Sequence, residues 1–145
     1  MENSKQAMFQ ISLKVLMRNG NNILLTRGEG GIDLPGGRID VGEENAPLKA
    51  AIFREIREEL GEDVKFHLAS VLFVHRLGYT KEKEGIMNIV FDAEYLSGDI
   101  KLSDEHVSYE WVDGRSYEIS RDDFYPEDQE KYEAFKNHFN SLRNK

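Results

Sequence analysis

A chain of 145 residues with a net charge of −8 and no cysteine is long enough for one domain with a proper core. The missing cysteines exclude disulfides, thiolate metal sites and cysteine nucleophiles, and make a cytoplasmic location the expectation. The negative balance argues against general affinity for duplex nucleic acid. No apolar run approaches the roughly 18 residues of a membrane span, and no charged-then-apolar start suggests a secretion signal.

Residues 1–7 are polar and expected to be loose. Met8 to Met17 alternates as a strand and Ile23 to Thr26 forms a second. Asn19-Gly20-Asn21-Asn22 between them reads as a hairpin turn. Arg27 leads into Gly28-Glu29-Gly30-Gly31, which is no P-loop because no Gly-Lys-Ser/Thr follows. Leu34-Pro35 then opens a glycine-rich loop, Gly36-Gly37-Arg38-Ile39-Asp40-Val41-Gly42-Glu43, where backbone can approach a ligand without intervening side chains. Arg38 is the fixed cation of this loop and can meet a phosphate.

A helix follows, with Pro47 as its first residue, Ala46 as a poor cap and Gly61 at its end. At about 100° per residue, Glu55, Glu58 and Glu59 project within one arc of about 100°. Leu48, Ile52, Ile56 and Leu60, with Phe53 at the edge, make a neighbouring apolar stripe. Three repelling carboxylates need compensation, and a hard divalent cation on oxygen ligands supplies it. Taken alone, the helix reads more readily as a solvated face with an ordinary Arg54–Glu58 pair, and the glycine loop in front of it tips the balance.

Lys65 to His75 and Ile86 to Tyr95 are strand-like, joined by a hydrophilic exposed loop from Gly78 to Gly85. His67 and His75 read as structural or surface residues, and no zinc-type spacing occurs. Ser97-Gly98-Asp99 turns the chain, and Val107 to Val112 is a short strand with Trp111 near its end. Pro126 to Leu142 carries Tyr132, Phe135 and Phe139 at helical spacing, a core-packing stripe. The order of elements fits a single domain over 1–145, an α/β sandwich with a mixed β-sheet between helices.

The glycine loop and the helix together resemble the signature of the Nudix hydrolases. That signature is Gly, five residues, Glu, seven residues, Arg-Glu, an aliphatic, any residue, Glu-Glu, any residue, Gly and a final aliphatic. Gly37, Glu43, Arg54, Glu55, Ile56, Glu58, Glu59 and Gly61 occupy those places. Ten residues, Glu44 to Phe53, separate Glu43 from Arg54 instead of seven, and Glu62 stands at the final aliphatic place. The insertion leaves the helical face intact and bears on the geometry of Glu43.

The resemblance implies the Nudix α/β/α sandwich. It also implies hydrolysis of nucleoside-diphosphate-linked compounds, such as nucleotides or dinucleoside polyphosphates, by attack of a metal-activated water on a phosphorus. Implied metal ligands are Glu55, Glu58 and Glu59 with the Gly37 carbonyl, holding Mg²⁺ or Mn²⁺, and Arg54 orienting a carboxylate, most simply Glu58. The general base is Glu59, Glu55 or Glu105, the last in the loop before the late strand, where ordinary loop charge is an equal reading. Arg27 stands where relatives commonly hold substrate phosphate, against the alternative that it faces solvent at a strand end. Tyr79, about 17 residues past the signature, stands where relatives selective for dinucleoside polyphosphates carry a tyrosine. No proline between Pro47 and Pro126 matches the ADP-ribose pattern. Two other classes compete: a nucleotide-sensing module without turnover, opposed by the intact glutamates, and an isoprenoid-diphosphate isomerase, opposed by the missing cysteine. Among relatives a homodimer is common.

Overall fold

The computed structural model describes residues 5–78, 85–104 and 108–144. Among them, seven strands form one sheet: β1 (Gln10–Asn19), β2 (Asn22–Gly28), β3 (Gly31–Asp33), β4 (Gly36–Arg38), β5 (Lys65–Arg76), β6 (Ile86–Ser97) and β7 (Ser108–Asp113). Two α-helices accompany it, α1 (Leu48–Leu60) and α2 (Gln129–Arg143). The order is β3-β2-β1-β6-β5, with β4 on β1 and β7 on β2. β1 and β6 run parallel and the remaining pairs antiparallel, so the sheet is mixed.

β1 explains how one sheet serves two helices. Its side chains alternate between faces. Leu13, Val15 and Met17 pack with Ala51, Ile52, Ile56 and Leu60 of α1, whereas Leu16 packs with Phe135 and Phe139 of α2. A strand buried on both faces reads as a nearly continuous apolar run, and the one charge inside that run, Lys14, therefore needs a partner. β1 also divides one edge: Ser12 to Lys14 pair with β4, while Arg18 and Asn19 pair with β2. The glycine segment is held there by ladder bonds. Gly36 lies at φ +138, and a Cβ on it would stand 2.0 Å from the Leu13 carbonyl oxygen, so only glycine lets β4 come this close.

Several sequence expectations shift. Gly36 to Arg38, expected as loop, are strand because β1 offers them a free edge. The first strand begins at Gln10, and Met8 is exposed. Pro47 is the cap of α1 and not its first residue: its ψ of 138 is extended and it makes no side-chain cap bond. Leu48 is 48% exposed, because the first turn of α1 projects past the sheet, so the apolar stripe is Ile52, Ile56 and Leu60. On α2 the buried positions are Lys131, Phe135 and Phe139, with Tyr132 only partly buried. No helix among the described residues is long and apolar enough to cross a membrane.

The α2 face is aromatic. Phe135 is 1% exposed and meets Phe124 at 5.4 Å and Phe73 at 6.1 Å, both edge-on. Phe135→Ala should lower the unfolding free energy by about 3–5 kcal/mol, and Tyr132→Ala by clearly less. Urea denaturation of the two variants checks the ranking; equal losses would remove Phe135 from the centre of this core.

Candidate active site

Glu55 and Glu59 lie one turn apart on α1, 9% and 4% exposed, and face the backbone of β4. The Gly36 N–H donates to Glu59 Oε2 at 2.9 Å. At Gly37 the space that a Cβ would fill is taken by the Glu55 carboxylate, whose Oε2 would stand 2.3 Å away. The amphipathic register of α1 thus puts Ile52 and Ile56 in the core and, beside them, two carboxylates against a strand without side chains. Burial pushes the Glu55 carboxyl above the usual carboxylate range, against the pull of Arg54.

Arg54 ties this corner together. Its guanidinium meets Glu43 through two parallel bonds of 2.7 Å, the fork geometry that makes arginine–carboxylate pairs strong. Nη1 also reaches Glu55 at 2.9 Å, Glu58 at 3.0 Å and Asp40 at 3.3 Å, and Nη2 donates to the Arg38 carbonyl. The bond from Arg54 holds the Glu43 carboxyl below its ordinary range. The expected partner, Glu58, is therefore one of four, and Glu43 has the better geometry. The additional residues before Arg54 lie ahead of or within the first turns of α1, and Glu43 reaches the guanidinium across them.

Arg54, Glu55, Glu58 and Glu59 line a cleft of about 570 Å³ with Ser12, Lys14, Asp33, Arg38, Asn88 and Ser103, while Glu43 stands outside its lining. Sequence reasoning missed a second charged cluster, which reaches the cleft through Lys14 and Asp33. Lys14 Nζ lies 3.3 Å from Asp33 Oδ2, and Lys131 Nζ from α2 lies 3.4 Å from Asp33 Oδ1. One carboxylate between two ammonium groups leaves a net charge of +1. Burial works against ionised Asp33, but Lys131 and Lys14 outweigh it and hold the carboxyl far below its usual range. Burial likewise pushes Lys14 down, but Asp33, then Glu59, raise it above the ordinary lysine value, so it stays charged. The signal for Lys14 was a lone charge in an apolar strand, and for Lys131 its place four residues before Phe135.

The remaining candidates separate. Arg38 lines the cleft, exposed, and donates to Gln10 at 2.8 Å. Arg27 does not line it: Glu110 at 2.8 Å, Asp123 at 3.6 Å and the Tyr117 hydroxyl at 2.9 Å hold its guanidinium, because β7 pairs alongside β2. It thus lies outside the cleft, its side chain still 35% exposed while held by these neighbours. Glu58 is at the rim, its side chain 59% exposed. Tyr79 and Glu105 lie outside the described residues. His75 is buried, as a structural residue would be, and His67 is exposed.

Among the described residues, no three carboxylate or imidazole groups converge tightly enough to enclose an ion. Magnesium does not require that. It keeps several waters and is typically bound through one or two carboxylates plus substrate phosphate. Two carboxylates beside a glycine cradle, all hard oxygen donors, fit such a partly hydrated cation; among the described residues no imidazole or sulfur lines the cleft for a softer metal.

The sequence model of the NUDIX domain matches residues 8–135. No curated protein matches the chain. Among solved structures, the MutT protein of Methanosarcina mazei Go1 is similar at 26% identity and a TM-score of 0.69, covering 98% of this chain and 100% of its own. A MutT NUDIX hydrolase from Burkholderia pseudomallei has 24% identity and a TM-score of 0.66, with 88% and 96% covered. An ADP-ribose pyrophosphatase from Streptococcus suis shares the fold at 18% identity and a TM-score of 0.63, with 94% and 93% covered.

Two measurements probe this geometry. Gly37→Ala would push the Glu55 carboxylate aside; Mn²⁺ affinity by titration calorimetry should fall about 10–100-fold with stability little changed. Unaltered affinity would separate Glu55 from the ion. His75, buried against Phe73 and Phe135, has its imidazole pushed down by burial, then by Lys131, to about 4. Between 6.5 and 4 the unfolded chain therefore takes up a proton that the folded chain refuses. The unfolding free energy should fall across that window as pH drops, by up to about 3 kcal/mol, and His75→Gln should flatten the fall. Parallel pH series of urea melts check it.

Proposed function

The chain belongs to the NUDIX family and is a pyrophosphohydrolase, and on that premise we propose that it hydrolyses nucleoside-diphosphate-linked compounds, nucleotides or dinucleoside polyphosphates, with Mg²⁺ or Mn²⁺. The observation that carries this reading is the pair of nearly buried carboxylates, Glu55 and Glu59, set against the glycine strand at the floor of the cleft. Replacing a buried ionic group by a well-packed apolar one is often neutral or stabilising, so a buried ionisable pair lining a cleft points to function.

Glu55 and Glu59 would hold the cation, with the Gly37 carbonyl, and Glu58 at the rim is free to add a further oxygen. When bound, the ion supplies neutralisation of phosphate charge and a more acidic water. The protein does the rest by positioning. Arg54 fixes Glu43, Glu55 and Glu58 relative to one another, so the carboxylates keep one arrangement as substrate arrives. Lys14 and Arg38 are the cleft cations that meet the polyphosphate, and Lys131 keeps Asp33 from fully neutralising Lys14. The proton of the attacking water passes to one of these carboxylates, Glu59 or Glu55, or to Glu105. The bond between phosphorus and the bridging oxygen breaks, giving a monophosphate and pyrophosphate from a nucleoside triphosphate, two phosphomonoesters from a compound with a diphosphate bridge, or two nucleotides that share the phosphates of a longer dinucleoside polyphosphate.

Phosphate-product release from a panel of nucleotides and dinucleotides, with Mg²⁺, Mn²⁺ or chelator, tests the reading. Metal-dependent release from one or a few compounds is expected. Glu59→Gln should cut turnover by about 100-fold or more while the urea midpoint stays put. Near-normal turnover would remove Glu59 from the chemistry. Silence across the panel, with nucleotide still raising the melting temperature, would favour a sensing module.

A further inference from the structure

β1 and β6 run parallel with Ser12 opposite Asn88, so both side chains lie side by side on one face of the sheet, at the floor of the cleft. Asn88 is 2% exposed. Its Nδ2 lies 3.0 Å from His75 Nε2, and His75 is wedged among the rings of Phe73 and Phe135. That contact fixes the plane of the amide. Its other end, Oδ1, is buried without a hydrogen-bond partner. Among the described residues two other buried polar atoms share that condition, Thr26 Oγ1 and His75 Nδ1, but neither residue lines the cleft. Of the three residues only Asn88 lines the cleft, so a ligand that displaces the thin cover over its oxygen would satisfy it. An unpartnered buried acceptor is costly, and a purely structural amide would use both ends.

The chemistry of the visitor follows. A neutral amide oxygen repels phosphate oxygens and needs an N–H or O–H. Phosphate charge is already met in the same cleft by Lys14 and Arg38. Ile86, two residues before Asn88 on the same face, and Leu77 add apolar wall. A flat ring with a hydrogen-bond donor on its edge suits an apolar wall with one oriented acceptor better than a sugar does.

We propose that Asn88 is a specificity-determining residue that accepts a hydrogen bond from the N–H edge of the substrate's nucleobase, oriented by His75. This rests on the nucleotide-hydrolase reading above. It adds the residue that sees the base, which the carboxylate site does not.

The test compares kcat/KM for pairs of substrates differing by one donor: a guanine or adenine nucleotide against its analogue without the exocyclic amino group, and a ribonucleotide against its 2′-deoxy form. The wild-type enzyme should prefer the donor-bearing base by about tenfold or more. Asn88→Leu should bring that ratio close to one. Asn88→Asp, which keeps an acceptor oxygen, should retain it even where all rates fall. A mere loss of packing cannot change a ratio between two substrates on the same folded enzyme. Should Asn88→Leu fail to fold, Asn88→Ser, with the reach of the amide removed, serves in its place. An unchanged base ratio in these variants overturns the proposal, and so does a change confined to the ribose pair. If the wild type turns over no nucleotide, the hydrolase reading falls, and the same ratios are read as Kd with nucleoside monophosphates. Equal affinities in wild type and Asn88→Leu would then overturn Asn88 as well.

Discussion

The buried pair of carboxylates on α1 is the constraint around which the site is arranged. A carboxylate withdrawn from water is tolerated only where donors or cations replace the lost hydration. Glu59 takes the Gly36 N–H, and Glu55 takes Arg54. The first contact requires β4 to lie close against α1, which in turn requires the glycine at 36 that fits against the β1 backbone. The helix, the glycine strand and the divided edge of β1 are thus one mechanical unit. Bulk at Gly36 would act on the carboxylates as surely as a change in them.

Charge in the cleft is arranged in two opposed groups. On one side the carboxylates outnumber Arg54; on the other Lys14 and Lys131 outnumber Asp33. A phosphate-bearing compound meeting an acidic protein needs this separation, since a net charge of −8 would otherwise repel it. The positive group is anchored from three elements. Lys131 reaches Asp33 over the rings of Phe124 and Phe135, each 5.8 Å from its ammonium nitrogen, so the aromatic core of α2 mounts the cation that braces a cleft carboxylate.

The outer loop adapts without disturbing this arrangement. The Asp40 N–H donates to the Glu43 carboxylate and the Glu43 N–H donates back to the Asp40 carbonyl, closing the segment on itself. Length added between Glu43 and Arg54 is then absorbed by the connection and the first turns of the helix. Arginine side chains are long enough to span the gap, which is why the fork to Glu43 survives a spacing of ten residues.

What the sequence by itself determined were the properties set by local periodicity. The hairpin, the two amphipathic helices and the projection of Glu55, Glu58 and Glu59 within one arc follow from 2-residue and 3.6-residue repeats, which act over a few neighbours. The signature residues carried the family. The tertiary structure decided which of those groups left water: Glu55 and Glu59 went under β4, while Glu58 stayed at the rim. It also chose partners far apart in the chain. Arg54 took Glu43, Arg27 was diverted to Glu110 by the register of β2 on β7, and Lys14, Asp33 and Lys131 met across three elements. Strand order and register bring such residues together, and no spacing in the sequence encodes them. A lone polar residue in an apolar run, Lys14 or Asn88, announces only that some partner must exist; the packed fold alone supplies which one.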